Sequence, residues 1–358
     1  MEQGERTWGP TPVPDRLRTL SLADVGLLWG NLGVSLLVLF TGTFLAGLGL
    51  QRALLATVVG AALGTALLGL AGLIGFERRV PGMVLLRDPL GQRGSYAPTA
   101  LNVVQNLGWA VFELYVMSLA ASALADELFG FDERWVWVLA FGALTAWLAL
   151  AGPISFVRRW VRRFAVWAVS ASLVYLVWWA VDGADVGGLW STSGTGGITF
   201  WQGVDLTVAM AASWLPLAAD YNRFARPDAR GALGTYLGYA VGNAWFYALG
   251  ALLVLAAGAT ADAIGIGSAI VAVAGGGLVL VALLVGESDN AFADIYSAAV
   301  STQNIAHHLS QRMLVGVVGA VGFVLALAFT AERYEQFLFL IGSVFVADYF
   351  VRRRGGYG

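Results

Sequence analysis

The stretch WGNLGVS, residues 29–35, decides how the first apolar segment of the chain folds. It places Gly30 and Gly33 around Asn31, inside a run long enough to cross a hydrocarbon layer, which takes about 20 helical residues. Glycine loosens the helical ladder, and non-helical backbone at membrane depth persists only where it lines a protein cavity. The stretch therefore predicts a broken transmembrane helix, although glycine in such helices also serves close packing.

A second interruption lies in ASWLPLAAD, residues 212–220, where Pro216 falls in the middle of an apolar run. A proline removes a backbone donor and bends or breaks a helix, and a single one often produces only a kink. The two interrupted runs are the first and the sixth of the chain, so each opens one of two halves. Corresponding breaks in two halves are the best sequence indication of the central site of a transporter.

The composition places the chain in a membrane. Of its 358 residues 58% are apolar and only 12% are charged, which excludes an ordinary soluble domain. We expect no cleaved signal peptide, because the first 24 residues are polar and the first apolar run is too long for one. Nucleic-acid binding has no support in the sequence, and we expect no metal or cofactor beyond a coupling ion. The ten predicted spans cover residues 25–47, 53–76, 100–124, 135–154, 164–181, 203–220, 231–258, 275–302, 313–331 and 336–351.

The arginine residues predict the orientation of these spans. The chain has no lysine, and a cytoplasmic N-terminus places most of its arginine residues on the cytoplasmic side, as the positive-inside rule requires. We therefore predict a multi-pass protein of the inner (plasma) membrane with both termini in the cytoplasm. The predicted units are a cytoplasmic segment (1–24), a first five-helix repeat (25–181), an extracellular linker (182–202), a second five-helix repeat (203–351) and a cytoplasmic tail (352–358).

Predicted span eight carries acids in GESDNAFADIY, residues 286–296. An ionisable side chain at mid-membrane costs about 2.5–3.5 kcal/mol on insertion scales, so it is typical of a pathway or a ligand site. At 100° per residue, Glu287, Asn290 and Asp294 share one helix face, whereas Asp289 lies about 200° from Glu287. The face that carries Asn290 and Asp294 suits a solute. On the other side, Ser288 and Asp289 offer oxygen ligands to a small cation. Solvation in a water-filled vestibule is the alternative for Glu287 and Asp289.

Predicted span three offers an aromatic plane beside an acid. In NLGWAVFELYVMS, Trp109 and Glu113 are four residues apart and lie on the same helix face. A flat heteroaromatic solute would stack on the indole ring and donate N–H groups to the carboxylate. A tryptophan in a membrane protein also serves as packing or as an interfacial anchor, so the pair is informative mainly through its spacing.

The chain contains the stretches PLAADYNRFAR (216–226), NAFADIYSAAVSTQNI (290–305) and FLFLIGSVFVADYF (337–350). They resemble one transporter family, the nucleobase:cation symporters that include cytosine and hydantoin permeases. The resemblance is closest to hydroxymethylpyrimidine (thiamin-precursor) permeases and covers essentially the whole chain. It implies an all-α, leucine-transporter-type fold, a five-plus-five inverted repeat with broken helices one and six, in a family that usually has twelve spans.

The resemblance also implies a set of site residues. Trp109 matches a tryptophan that stacks on the substrate ring, Glu113 matches a polar residue that hydrogen-bonds it, and Asp294 matches an asparagine that contacts it. At positions 113 and 294 this chain has carboxylates where relatives carry amides. An ionised carboxylate only accepts hydrogen bonds, so these positions favour a solute rich in hydrogen-bond donors. The candidate substrate residues are Trp109, Glu113, Asp294, Asn290, Ser35 and Trp214. The candidate ion residues are Asn31, Val34, Val285, Ser288 and Asp289.

The sequence thus predicts a secondary active transporter, not an enzyme, that imports a pyrimidine-like solute such as hydroxymethylpyrimidine or cytosine. Na+ and H+ both remain open as the coupling ion, because Asp289 replaces a hydroxyl residue of the family and a carboxylate could carry a proton. The alternatives are a channel or solute-binding receptor on the same scaffold, or a transporter of another heteroaromatic such as hydantoin, a purine or allantoin. The sequence leaves the oligomeric state undetermined.

Overall fold

A computed structural model describes residues 8–182, 184–260 and 269–329. The described residues form helices and no β-strand, apart from one isolated bridge between Leu20 and Ala225. Predicted span ten (336–351) lies outside them, as does the end of span nine. The helices are α1 (Leu22–Leu32), α2 (Leu36–Thr43), α3 (Leu50–Arg78), α4 (Gly82–Leu85), α5 (Arg87–Gly94), α6 (Tyr96–Phe129), α7 (Arg134–Ala151), α8 (Pro153–Val181), α9 (Val186–Ser191), α10 (Phe200–Ser213), α11 (Ala218–Asn222), α12 (Gly231–Ala257), α13 (Gly276–Ile305) and α14 (Gln311–Leu327).

Five of the described helices are long and apolar enough to cross a bilayer, namely α3, α6, α7, α8 and α12. The pair Leu22–Leu32 and Leu36–Leu48 makes a sixth span if it is counted as one broken helix. Helix α13 has the length of a span, but its acids lower its hydropathy. Every residue of α13 from 286 to 301 is buried, so these acids lie in the protein interior rather than against lipid.

The predicted break in the first span lies between α1 and α2, which are bent by 56° relative to each other. Helix α1 ends at Leu32, and Ser35 starts α2 with its hydroxyl accepting the Leu37 N–H at 3.0 Å. An N-cap of this kind satisfies a backbone donor that the interrupted helix leaves open. The sequence placed this break correctly.

The sixth span is interrupted at Pro216, also as expected. Helix α10 ends at Ser213, a 3-10 turn covers Leu215–Leu217, and α11 begins at Ala218. Pro216 cannot donate the backbone hydrogen bond that would continue α10. The two breaks open the protein interior between α6 and α13.

Helix α1 packs very closely against α12 through glycine. A Cβ atom placed on Gly238 would lie 2.1 Å from the Gly26 carbonyl oxygen, and one on Gly242 would lie 2.2 Å from the Gly30 carbonyl oxygen. Small residues four apart let two membrane helices approach backbone to backbone. The glycine residues of span one therefore serve close helix packing as well as the break.

Helix α8 begins earlier than the predicted span five. It starts at Pro153 and includes a π-helical segment, Phe156–Ala165, which contains the RRWVRR motif. The motif lies between predicted spans four (135–154) and five (164–181). Arg158, Arg159, Arg162 and Arg163 are exposed, whereas Phe156, Val157, Val161 and Ala165 are buried. The segment is therefore amphipathic. Hydropathy averaged over a window of residues does not identify such a helix, because the charged face cancels the apolar one.

Arg223 holds the N-terminal segment over the end of α11. Its guanidinium donates to the Gly9 carbonyl at 2.8 Å and to the Tyr296 hydroxyl at 3.1 Å. The guanidinium also donates to the Asp220 backbone carbonyl at 3.2 Å. The Asp220 carboxylate accepts a different hydrogen bond, from the Gly82 N–H at 2.9 Å. An Asp220–Arg223 ion pair, which a spacing of three residues would allow, is therefore not the main contact of either side chain.

Candidate functional site

A small cavity of about 30 Å³ lies where the two helix breaks meet α6 and α13. This is well below the range of about 300–1,000 Å³ that small-molecule sites occupy, so the walls have to move apart to admit a solute. The structure brings all six candidate substrate residues to its wall: Ser35, Trp109, Glu113, Trp214, Asn290 and Asp294.

Asp294 faces this cavity from α13. Its side chain is 4% exposed, and the described residues give it no hydrogen-bond donor. Burying a carboxyl group without a partner is costly, so such a group is unusual in a packed core. Asn290 lies one turn earlier on α13, and its amide nitrogen donates to the Val34 carbonyl at 3.1 Å, whereas its amide oxygen has no partner in the described part of the chain.

Asn106 is a cavity residue that the sequence analysis missed. Its side chain is fully buried, lines the cavity, and has no hydrogen-bond partner at either amide atom among the described residues. Asn106 precedes Trp109 by three positions and Glu113 by seven, so all three lie on one face of α6. This spacing was the signal that could have identified it.

Two tryptophan residues border the cavity from different helices. Trp214 lies at the break after α10, and its ring contacts the Trp29 ring edge to face at 6.2 Å and 89°. Trp109 lies on α6, where its ring meets that of Phe112 at 6.2 Å and 75°. Edge-to-face contacts fix the orientation of aromatic rings, so both indole rings are held by their neighbours.

Three residues of α13 hold the break of the first span. Glu287 accepts hydrogen bonds from the Ser35 hydroxyl at 3.0 Å and from the Leu36 N–H at 2.7 Å. Its carboxyl group thus caps the N-terminus of α2, where exposed N–H groups favour negative charge. Asn290 binds Val34, as described above, and the side chains of Asn31 and Asp289 are hydrogen-bonded to each other.

Glu113 and Glu287 meet behind the cavity wall. Their carboxyl groups lie within hydrogen-bonding reach of each other, and both side chains are buried. Glu113 lines the cavity, whereas Glu287 does not. The second oxygen of Glu113, Oε2, is buried without a hydrogen-bond partner in the described residues.

The candidate ion residues are only partly brought together. Asn31, Val34 and Asp289 lie around the break, and the other Asp289 oxygen accepts the Trp160 indole N–H at 2.5 Å. The Ser288 hydroxyl instead donates to the Leu284 carbonyl at 3.2 Å and contacts the Met117 sulfur at 3.7 Å.

Val285 lies on the same helix and is half-buried. Within the described ranges, no group of three acidic or histidine side chains is placed to hold a metal ion. The ion ligands that the family resemblance implies therefore stay a prediction.

Comparisons with known proteins agree with this arrangement. The sequence profile of the family described as permeases for cytosine/purines, uracil, thiamine and allantoin matches residues 12–357. A cytosine permease of Escherichia coli O157:H7 is 26% identical over 96% of this chain and 81% of its own length. A hydantoin permease of Microbacterium maritypicum is 26% identical over 52% of this chain, but that match spans only 38% of the permease.

Solved structures show the fold. Mhp1, a nucleobase-cation-symport-1 family transporter in a closed conformation with bromovinylhydantoin bound, has a TM-score of 0.80 at 21% identity, covering 99% of this chain and 82% of Mhp1. A Na+-coupled sialic acid symporter has a TM-score of 0.66 at 12% identity, covering 90% of this chain and 76% of the symporter.

The expected leucine-transporter-type fold is therefore confirmed. The protein is a multi-pass secondary transporter of the membrane, not an enzyme. With the family profile matching nearly from end to end, the chain belongs to the family of permeases for cytosine/purines, uracil, thiamine and allantoin.

Proposed function

We propose that this transporter imports a pyrimidine-like nucleobase or thiamin precursor, such as cytosine or hydroxymethylpyrimidine, together with Na+ or H+ by alternating access. The observation that carries the proposal is Asp294, a buried carboxyl group that faces the cavity without a hydrogen-bond donor from the described residues. A solute with N–H groups would supply that donor. The distribution of arginine supports an inner (plasma) membrane protein with both termini in the cytoplasm.

The polar groups of the cavity favour a solute rich in donors. Glu113 and Asp294 accept hydrogen bonds when ionised, and the free atom of Asn290 is its amide oxygen. Asn106 adds one donor group and one acceptor group. An aminopyrimidine, with an exocyclic amino group and ring nitrogen atoms, matches this set better than uracil, which has no amino group.

Replacing Trp109 with alanine is expected to raise the KM for uptake about tenfold. Stacking of a base on an aromatic ring contributes about 1–3 kcal/mol, and 1.4 kcal/mol corresponds to a factor of ten in affinity. Trp109→Phe keeps a ring and is expected to change the KM less than about threefold. Initial uptake rates into proteoliposomes measure both values, and equal KM values for Trp109→Ala and the wild type would remove Trp109 from the site.

Replacing Asn106 with leucine is expected to weaken substrate binding about fivefold. The substitution keeps the branched shape and the number of heavy atoms but removes a donor and an acceptor from the cavity wall, and a hydrogen bond contributes about 0.5–1.5 kcal/mol. Equilibrium binding to the purified protein measures the change. Gln92→Leu is the control, because Gln92 is an exposed amide on α5. Unchanged binding by Asn106→Leu would show that the solute does not reach this amide.

A competition experiment tests the proposed function as a whole. Uptake of labelled cytosine into proteoliposomes is measured with unlabelled hydroxymethylpyrimidine, uracil, hydantoin, allantoin and adenine as competitors, with and without Na+ at fixed pH. We expect saturable uptake of chemically unchanged solute, with the two aminopyrimidines competing better than uracil. Flux that does not saturate and needs no ion gradient would indicate a channel instead, and preferential competition by hydantoin or allantoin would reassign the substrate.

A further inference from the structure

Helix α8 carries arginine and tryptophan side chains on a face that the rest of the described chain leaves exposed. Arg163 is followed on this face by Trp167, Ala171, Val174 and Trp178, at intervals of about one helical turn. Trp167 is 69% exposed and Trp178 is 55% exposed. Next to an arginine, Trp167 has the position of an interfacial anchor, and the exposed face therefore contacts the membrane.

An open groove of about 550 Å³ runs along this face, and we call it the α8 groove. It is lined by Trp167, Ser170, Ala171, Val174, Tyr175 and Trp178. From Trp167 to Trp178 the helix rises about 17 Å, which is close to half of the hydrocarbon thickness of about 30 Å. Tyr175 is held in the wall, because its hydroxyl donates to the Ala274 carbonyl at 2.5 Å and its ring lies 5.7 Å from the Trp178 ring. In length and polarity the α8 groove therefore matches an acyl chain within one leaflet.

Two guanidinium groups lie just before the α8 groove, in the π-helical segment. Arg162 of this segment is paired with Asp24 of α1 at 2.9 Å. In contrast, within the described ranges neither Arg159 nor Arg163 has an ion pair or a hydrogen-bond partner, and both side chains are exposed. Trp167 is fixed beside this basic turn, because its indole N–H donates to the Arg162 carbonyl at 3.0 Å. One end of an apolar groove thus carries positive charge that the described chain does not balance.

We infer that Arg159, Arg163 and the α8 groove bind one anionic phospholipid from the leaflet on the side of the N-terminal segment. Its phosphate lies at the two guanidinium groups, and one acyl chain lies along the groove. Arginine binds phosphate through two parallel N–H groups, and basic sites beside membrane helices attract anionic headgroups. A second copy of the chain fits this face less well, because a symmetric dimer places the same residues opposite each other and would bring the two Arg163 side chains together.

The bound lipid supports the break of the first span. Trp160 lies between the two lipid-binding arginine residues in sequence, and its indole N–H donates to Asp289 at 2.5 Å. A phosphate that holds Arg159 and Arg163 together therefore stabilises the π-helical segment that positions Trp160. The same segment is fixed to α1 through Arg162 and Asp24, so the lipid completes the attachment of this turn on its membrane side.

Photolabelling tests the lipid site without any transported solute, so its outcome does not depend on the proposed function. The protein is placed in phosphatidylcholine nanodiscs with a small fraction of phosphatidylglycerol that carries a diazirine in one acyl chain, and mass spectrometry identifies the labelled peptides. We expect residues 163–178 to be labelled at least about fivefold more than by the same diazirine on phosphatidylcholine, because each arginine beside an anionic headgroup strengthens binding about fivefold. Equal labelling by the two lipids would overturn the inference, whether or not any variant folds.

Three variants assign the two parts of the site. The double variant Arg159→Gln, Arg163→Gln is expected to lower labelling by phosphatidylglycerol to the level of phosphatidylcholine. The matched control Arg93→Gln, Arg312→Gln removes two exposed arginine residues of α5 and α14 and should label as the wild type does. Ala171→Trp fills the α8 groove, keeps both arginine residues and is expected to reduce labelling at least about threefold.

Three results would contradict a lipid site of this kind. Undiminished labelling of the double variant would remove the two arginine residues from it. Competition by soluble glycerol phosphate as effective as that by unlabelled phosphatidylglycerol would indicate a site for a free anion. Absence of labelling in residues 163–178 by either lipid, with the protein migrating as a dimer, would mean that a second copy covers this face.

Discussion

Replacing Asp294 with alanine is expected to reduce the kcat/KM of uptake between about tenfold and a hundredfold. A hydrogen bond to a charged group contributes about 1.5–3 kcal/mol, and Asp294 has no donor among the described residues that would otherwise occupy it. The lost contact is one that only the solute can make. Initial rates of labelled cytosine uptake into proteoliposomes measure the effect.

Two further variants make the Asp294 result specific. Asp294→Asn keeps the shape of the side chain and one acceptor, so it is expected to fall between the wild type and Asp294→Ala. Asp228→Ala removes an exposed aspartate that pairs with Arg226 at 2.7 Å outside the helices, and it should leave uptake unchanged. Uptake by Asp294→Ala equal to that of Asp228→Ala would exclude Asp294 from the substrate site.

Replacing Gly242 with valine is expected to prevent stable folding. Even a single methyl group on Gly242 would lie 2.2 Å from the Gly30 carbonyl oxygen, so α1 and α12 would have to separate. Overpacking of this kind typically costs about 1–3 kcal/mol, and backbone atoms cannot move aside as a flexible side chain can. The expected result is little protein in the detergent-soluble fraction, or a fall of about 5 °C or more in the melting temperature.

The control for this prediction is Gly316→Val on α14. A Cβ atom at Gly316 meets no atom within 4 Å, and valine has a better helix propensity than glycine. Its melting temperature in detergent should therefore equal or slightly exceed that of the wild type. Equal melting temperatures for Gly242→Val and Gly316→Val would contradict the close contact between α1 and α12.

The sequence predicted those parts of the fold that depend on local backbone chemistry. Gly33 and Pro216 identified the two breaks, because each weakens a helix wherever it lies in the chain. The 100° rotation per residue placed Asn290 and Asp294 together on the cavity face of α13 and turned Asp289 away from it. These inferences need only one helix at a time.

Contacts between helices could not be predicted from one sequence. The Trp160–Asp289 bond joins residues 129 positions apart, and it depends on a π-helical segment that lies between two predicted spans. The rotamer of Ser288, which directs its hydroxyl to Leu284 rather than to the break, is likewise set by packing against Met117. Asn106 shares the helix face of Trp109 and Glu113, but its missing hydrogen-bond partners, which set it apart from other buried amides, are visible only in the structure.

We expect the acidic character of the cavity also to determine which solutes the transporter rejects. Asp294, Glu113 and the Glu287 behind it present negative charge or acceptor oxygens, and no lysine or arginine of the described chain lines the same space. A pyrimidine that carries its own carboxylate would stack on Trp109 as well as a neutral one, but it would be repelled by these groups. A plain aromatic ring would leave Asp294 without a donor. We therefore expect the site to select as much by exclusion as by attraction, with ring shape alone not sufficient for entry.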